Sequence, residues 1–117
     1  MRESTIQAAI RKAIALDGRA IVTRNNVGVL RDERGVPVRF GLGVGSADLV
    51  GGIKATVLPP FGRLLAFEVK RPGQKSTPYQ LAWARAMRLH FNAFVAEVHS
   101  VPEAMAALER ACRGERQ

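Results

Sequence analysis

Residues 64–70 read Leu-Leu-Ala-Phe-Glu-Val-Lys, and this run limits the folds open to the chain more than any other. An apolar, partly aromatic stretch, followed by the loop Arg71-Pro72-Gly73, specifies an extended strand. Alternate side chains of a strand share a face, so Ala66, Glu68 and Lys70 point one way and Leu65, Phe67 and Val69 the other. The strand begins as core and ends with a carboxylate and an amine as neighbours. Three roles compete for that pair: a solvent-facing strand edge, a structural ion pair, or two groups aimed at a shared substrate. Spacing alone does not separate them.

The rest of the chain supplies partners for such a strand. Ile6, Ala9, Ile10, Ala13 and Ile14 recur at three-to-four spacing, Ser4 with Gln7 resembles a capping box, and Gly18 supplies a stop, which predicts a helix over 3–17. A short strand is expected at 20–26, then two strands within 27–41 joined by the turn Asp32-Glu33-Arg34-Gly35. After the glycine-rich stretch around Ser46-Ala47-Asp48, the segment Ile53–Leu58 reads as a strand. Pro59-Pro60-Phe61-Gly62 separates it from Gly62–Lys70, so the two are expected to pair. From Pro78 to His90 the pattern is helical, with Leu81, Ala84, Met87 and Leu89 as apolar positions. A buried strand within 91–100 and a helix over 101–112, opened by Ser100 and Pro102, complete the order. Helix, a group of strands, helix, strand, helix favours an α/β domain: a mixed β-sheet flanked by helices. At 117 residues one domain is expected, with a frayed tail from about 113.

Charge narrows the class of partner. Eighteen Lys and Arg against ten acids give +8, a balance that suits a polyanion, usually nucleic acid. The basic residues are scattered rather than massed on one amphipathic helix, which disfavours a membrane surface. No window approaches the ~18 apolar residues of a membrane span. The amino-terminal stretch carries charges throughout, unlike a signal peptide. Cys112 is the single cysteine and can form neither an internal disulfide nor a metal site by itself, so a reducing, cytoplasmic setting is expected.

Asp48, twenty positions before Glu68, sharpens the reading of the strand end. It lies between Ala47 and Leu49-Val50 with glycines on both sides, where the backbone turns tightly and something bulky can approach. Taken singly it also suits a turn or cap aspartate. Two acids ending adjacent strands can hold a hard divalent cation, since Mg²⁺ is bound by one or two carboxylates with waters and substrate phosphate. A nearby lysine then stabilises negative charge on a phosphate or positions the attacking water.

In this order, Gly45-Ser46-Ala47-Asp48-Leu49, then Phe67-Glu68-Val69-Lys70, then Gln80 at the head of a helix, the chain resembles the VRR-NUC branch of the PD-(D/E)XK nuclease superfamily. Glu3 by the first helix and Arg24-Asn25-Asn26 fit the same pattern, which covers nearly the whole chain. A proline often precedes the aspartate in that superfamily; here Ala47 does. The resemblance implies a restriction-endonuclease-like core and a divalent-metal-dependent endonuclease using Mg²⁺, with Mn²⁺ as a substitute. Asp48 and Glu68 would bind the metal with the Val69 carbonyl, and Glu3 is a further candidate ligand. Lys70 would serve the water nucleophile and Gln80 would orient the machinery. It also implies a homodimer on branched DNA, similar to Holliday-junction resolvases, since one site per chain makes paired cuts a matter of twofold symmetry. Two alternatives stay open: a non-catalytic nucleic-acid-binding module, and a nuclease for flaps, nicks or single strands within a repair assembly.

The basic residues supply candidate phosphate contacts. Arg71 and Lys75 lie in the loop after Lys70, and Arg85 and Arg88 one turn apart on the helix opened by Gln80. Arg31, Arg34 and Arg39 around the first hairpin could extend the track, or be solvated surface. Gly41-x-Gly43-x-Gly45 is no phosphate cradle, because no helix follows and no Lys-Ser/Thr closes it. Trp83 and Met87 are expected in the core, and His90 and His99 in the core or at its boundary.

Overall fold

The computed structural model describes all 117 residues. Its elements are α1 (Glu3–Asp17), β1 (Ala20–Arg24), β2 (Gly28–Arg31), β3 (Pro37–Phe40), β4 (Leu49–Ile53), β5 (Arg63–Val69), α2 (Pro78–Phe91), β6 (Phe94–Val98) and α3 (Val101–Cys112). Four strands form one sheet in the order β1-β4-β5-β6, and β2 and β3 form a separate hairpin. The β1–β4 and β4–β5 pairs are antiparallel and β5–β6 is parallel. The sheet is mixed and helix-flanked, as the order of patterns predicts. The parallel pair follows from connection length: a short loop joins antiparallel neighbours, whereas parallel ones need a crossover of a dozen or more residues, here built around α2.

Because β5 is an inner strand, both of its faces need cover. Leu65, Phe67 and Val69 enter the main core with Ile6, Ile10 and Ile14 of α1 and Ala104 and Leu108 of α3. Full burial of such side chains contributes about 1.5–3 kcal/mol each. Ala66 faces the other way, into a small cluster with Ala47, Ala84 of α2 and Val95, with Trp83 and Met87 partly buried against it. Alanines on that side bring α2 close to the sheet, and Glu68 is on the same side.

Three sequence expectations give way. The strand antiparallel to β5 is Leu49–Ile53, not Ile53–Leu58; Val57 and Leu58 donate their amides to the Lys54 carbonyl in a turn. Two adjacent glycines read as a break, but Gly51 lies opposite Val22, and any Cβ there would collide with the Ile21 carbonyl. The close approach of β1 therefore demands glycine inside the strand. Ser4 caps nothing: Arg2 is the N-cap of α1, and Gln7 is buried instead. On α2, Leu81 and Leu89 are 59% and 74% exposed, so the sheet-facing stripe runs through Ala84 and Met87 alone of the four apolar positions. No helix is long and apolar enough to cross a membrane.

Candidate active site

The site forms where β5 ends. Glu68 is 5% exposed, on the α2 side of the sheet. Its Oε1 accepts a hydrogen bond from the Gln80 side-chain amide at 2.8 Å. Its Oε2 is buried with no donor in reach. Asp48, just before β4, is partly buried, and its Oδ2 accepts from the Val69 amide at 2.8 Å. That bond crosses from one strand to the next and sets the Asp48 carboxylate beside Glu68. Burial first, then the Asp48 carboxylate, push the Glu68 carboxyl up to about 9, while Lys70 works against them. Two carboxylates this close require either a shared proton or a cation between them.

Local sequence explains why each group stands where it does. Thr77 and Gln80 form a capping box: Thr77 Oγ1 accepts from the Gln80 amide, and Gln80 Oε1 accepts from the Thr77 amide at 2.8 Å. The Gln80 oxygen is therefore taken up by the cap, which leaves its nitrogen to donate to Glu68. Thr-x-x-Gln was a legible signal for this fixed orientation. Asn25 has a comparable role for Asp48. Its backbone amide donates to the Asp48 carbonyl, its Nδ2 to Ser46 Oγ (2.7 Å) and the Ala47 carbonyl (2.9 Å), and its Oδ1 accepts from Leu42. Gly45, at φ +82°, lies where a Cβ would strike the Tyr79 carbonyl, so the glycine-rich approach to Asp48 rests against the start of α2.

Lys70 follows the strand end and is partly buried; neither Glu68 nor any other acid forms an ion pair with it. That disposes of the structural ion pair, and the burial of Glu68 disposes of the solvent-facing edge. Glu3 lies 3.9 Å from Arg71, and Gln74 bridges them once its amide nitrogen faces Glu3 and its oxygen faces Arg71. Glu3 does not join Asp48 and Glu68 in any group of three metal-ligating side chains. The structure thus brings together Asp48, Glu68, Val69, Lys70 and Gln80, and leaves Glu3 at the margin, beside Arg71 yet near enough to add to the upward push on Glu68.

No protein-family model and no curated protein match this chain. Its chemistry is carried by the site itself. A concavity of about 410 Å³ opens in front of Asp48, lined by Gln7, Arg24, Asn25, Asn26, Val27 and Phe40. A smaller one, about 210 Å³, reaches Glu68 from the α2 side past Gln80, Arg88 and Glu97. Neighbouring β6 brings Glu97 level with Glu68, and Glu97 accepts from the Ser76 amide and hydroxyl at 2.6 and 2.7 Å. Those two bonds, ahead of His99 and Lys70, hold its carboxyl below the usual range.

The basic residues divide by what they touch. Lys75 is exposed in the loop, as is Arg71 apart from its contact with Glu3. Arg85 is exposed on α2, whereas Arg88 is partly buried and engaged: its Nε donates to Gln117 at 2.9 Å and its Nη2 to the Val95 carbonyl. Arg31 donates across its own turn to the Gly35 carbonyl at 2.8 Å, and Arg34 and Arg39 are free on the hairpin. Gly28, Leu30, Val38 and Phe40 share one face of that hairpin, and Val29, Arg31, Pro37 and Arg39 the other. The arm has one apolar face and one basic face.

Proposed function

We propose that this chain is a divalent-metal-dependent DNA endonuclease with a restriction-endonuclease-like core, of the VRR-NUC kind. The observation that carries the reading is Glu68 Oε2, an orphaned carboxylate oxygen buried beside a second carboxylate, Asp48. Burying two acids together without a donor between them costs stability, which a binding site justifies and a core position does not.

The donor set suits Mg²⁺ or Mn²⁺: hard carboxylate oxygens of Asp48 and Glu68, with the Val69 carbonyl next to the amide that already holds Asp48. Bound there, the cation supplies Lewis acidity toward a phosphoryl oxygen of the scissile phosphodiester. The chain's own residues do the rest. Gln80 fixes the Glu68 carboxylate so that its second oxygen faces the ligand rather than rotating away. Asn25 fixes the main chain at Asp48 and the Val69 amide fixes its carboxylate. Lys70, unpaired and one residue past Val69, provides an ammonium for the water that attacks phosphorus and for the charge that builds on the phosphate as the P–O ester bond breaks.

Branched DNA cut by a homodimer is the substrate and assembly we infer. The apolar face of the hairpin supports a second copy: Leu30 is 65% exposed and Val38 49%, and a lone two-stranded hairpin is marginal in water without something packed on it. The basic face would then lie toward phosphates.

The deciding experiment is cleavage of four-way junction, flap, linear duplex and single-stranded DNA in Mg²⁺ or Mn²⁺ by wild type, Asp48→Asn, Glu68→Gln and Lys70→Ala. Nicking of the junction is expected from wild type, with rates lower by about 10²–10⁴ in each variant while DNA binding persists. A gel shift with intact strands in every lane would make the protein a binding module. Equal cutting by all four proteins would place the active site elsewhere.

A further inference from the structure

We propose that Arg85, Arg88 and Arg116 form a second phosphate site, which grips the DNA backbone a few nucleotides from the cut. The inference rests on the nuclease reading for its ligand, but on separate residues for its geometry.

A cavity of about 410 Å³ at the far end of α2 is lined by these three arginines with Asn92 and Gln117. None of the three pairs with a carboxylate. Like charges are concentrated further by Arg63, whose guanidinium is held below its ordinary value by burial and then by Arg116. Burial alone does the same to Arg88. Arg88 is fixed by Gln117 and the Val95 carbonyl, while its Nη1 has no protein partner. Glu115, which acts on Arg63 against burial and Arg116, is the acid nearby, and it forms no ion pair with any of the three. A positioned guanidinium with free N–H groups, among other cations and paired with no carboxylate, is a receptor for an oxyanion. The carboxyl end of α2 opposes this with roughly half a negative charge, and Glu115 adds one more, against the positive charges of Arg63, Arg85, Arg88 and Arg116.

The cavity is aligned with the active site. Gln80, Ala84 and Arg88 recur every fourth residue, so Gln80, which touches Glu68, and Arg88 lie on one face of α2. Eight residues at 1.5 Å each separate them by about 12 Å. Arg88 also lines the smaller concavity that reaches Glu68, so the two recesses adjoin. At about 3.4 Å of rise per nucleotide, about 12 Å corresponds to three or four nucleotides. A phosphodiester that far from the scissile one would meet the arginines, which would set the register of the strand in the site.

The test is fluorescence anisotropy of a labelled four-way junction in EDTA, comparing wild type with the double variant Arg85→Ala/Arg116→Ala from about 50 to 200 mM salt. Both side chains are exposed and make no hydrogen bond in the protein, so the melting temperature is expected to stay put. The slope of log K against log salt should fall in magnitude by about 1, for the one phosphate no longer fully neutralised, and affinity by tenfold or more. A neutral methylphosphonate three or four nucleotides from the cut should weaken wild type markedly more than the double variant, which keeps only Arg88 at the site. An unchanged slope, or equal sensitivity of both proteins to the methylphosphonate, overturns the proposal. Wild type incubated with Mg²⁺ in parallel keeps the two ideas apart. Cutting with an unchanged slope rejects this site and keeps the nuclease; a reduced slope without cutting keeps this site and rejects the nuclease.

Discussion

Glu68→Gln should make the metal-free protein more stable, and by an amount that depends on pH. With its carboxyl raised from 4.5 to about 9 in the folded state, Glu68 keeps its proton on folding between those limits while the unfolded chain releases it. The folded state then binds more protons, so stability falls as pH rises, by about 1.4 kcal/mol per unit. The favourable contribution of the protonated group is complete below pH 4.5 and gone above about 9. Three units from 4.5 to 7.5 amount to about 4 kcal/mol. Glutamine mimics the protonated acid: its oxygen still accepts from Gln80, and its NH₂ donates toward Asp48. It carries no titration, and the shifted groups away from the Asp48–Glu68 pair are common to both proteins and cancel. In EDTA at pH 7.5 the variant should gain about 3–4 kcal/mol, on the order of 10 °C in Tm, and the difference should close by pH 4.5. Urea titrations at pH 4.5, 6.0 and 7.5 measure it directly. Addition of Mg²⁺ should raise the Tm of wild type and leave the variant where it was. A less stable variant at pH 7.5, or a difference that ignores pH, would mean that Glu68 is a structural anion and that the reasoning from its burial is wrong.

Further outcomes follow from the geometry. Gln80→Glu keeps an acceptor for the Thr77 amide but loses the donor to Glu68, so Mg²⁺ affinity by calorimetry should drop about 10–100-fold. Thr77→Ala, which removes only the cap, should cost about 1 kcal/mol in urea and leave that affinity nearly intact. Gly51→Ala forces a methyl against the Ile21 carbonyl and should destabilise by about 1–3 kcal/mol or more in the same assay, with β1 amides losing hydrogen-exchange protection first. Leu30→Asp/Val38→Asp charges the apolar face of the hairpin and should convert a dimer to a monomer in light scattering while Tm stays within a few degrees; a monomeric wild type would remove the twofold assembly.

The strand carrying Glu68 and Lys70, the helix after it and both closing elements were legible because local rules and tertiary packing agree there: Phe67 and Val69 alternate with Ala66 and Glu68, and the core takes the faces that alternation assigns. Where they conflict, the sequence misleads. Gly51-Gly52 reads as a break and is the middle of β4, since what decides it is the Ile21 backbone on another strand. Leu81 and Leu89 read as a core stripe and face outward, because the alanine-lined contact with the sheet admits only one narrow face of α2. Arg88 reads, with Arg85, as a phosphate contact on α2; only the fold reveals that the Val95 carbonyl and Gln117 hold it in place.

Topology then accounts for why the end of β5 lies covered by a helix rather than at an edge. A parallel neighbour, β6, requires the chain to leave β5 at its carboxyl end and return through a helix, so the start of α2 comes back over the residues just left behind. That start is capped by Thr77 and Gln80, and its free amides carry the positive end of the helix dipole. Carboxylates placed beside it are favoured by a fraction of a kcal/mol, far less than the several needed to ionise Glu68 fully. Without a cation Glu68 therefore keeps its proton; on the proposed reading a divalent cation would supply the remainder, at the unbonded oxygen of Glu68 next to Asp48.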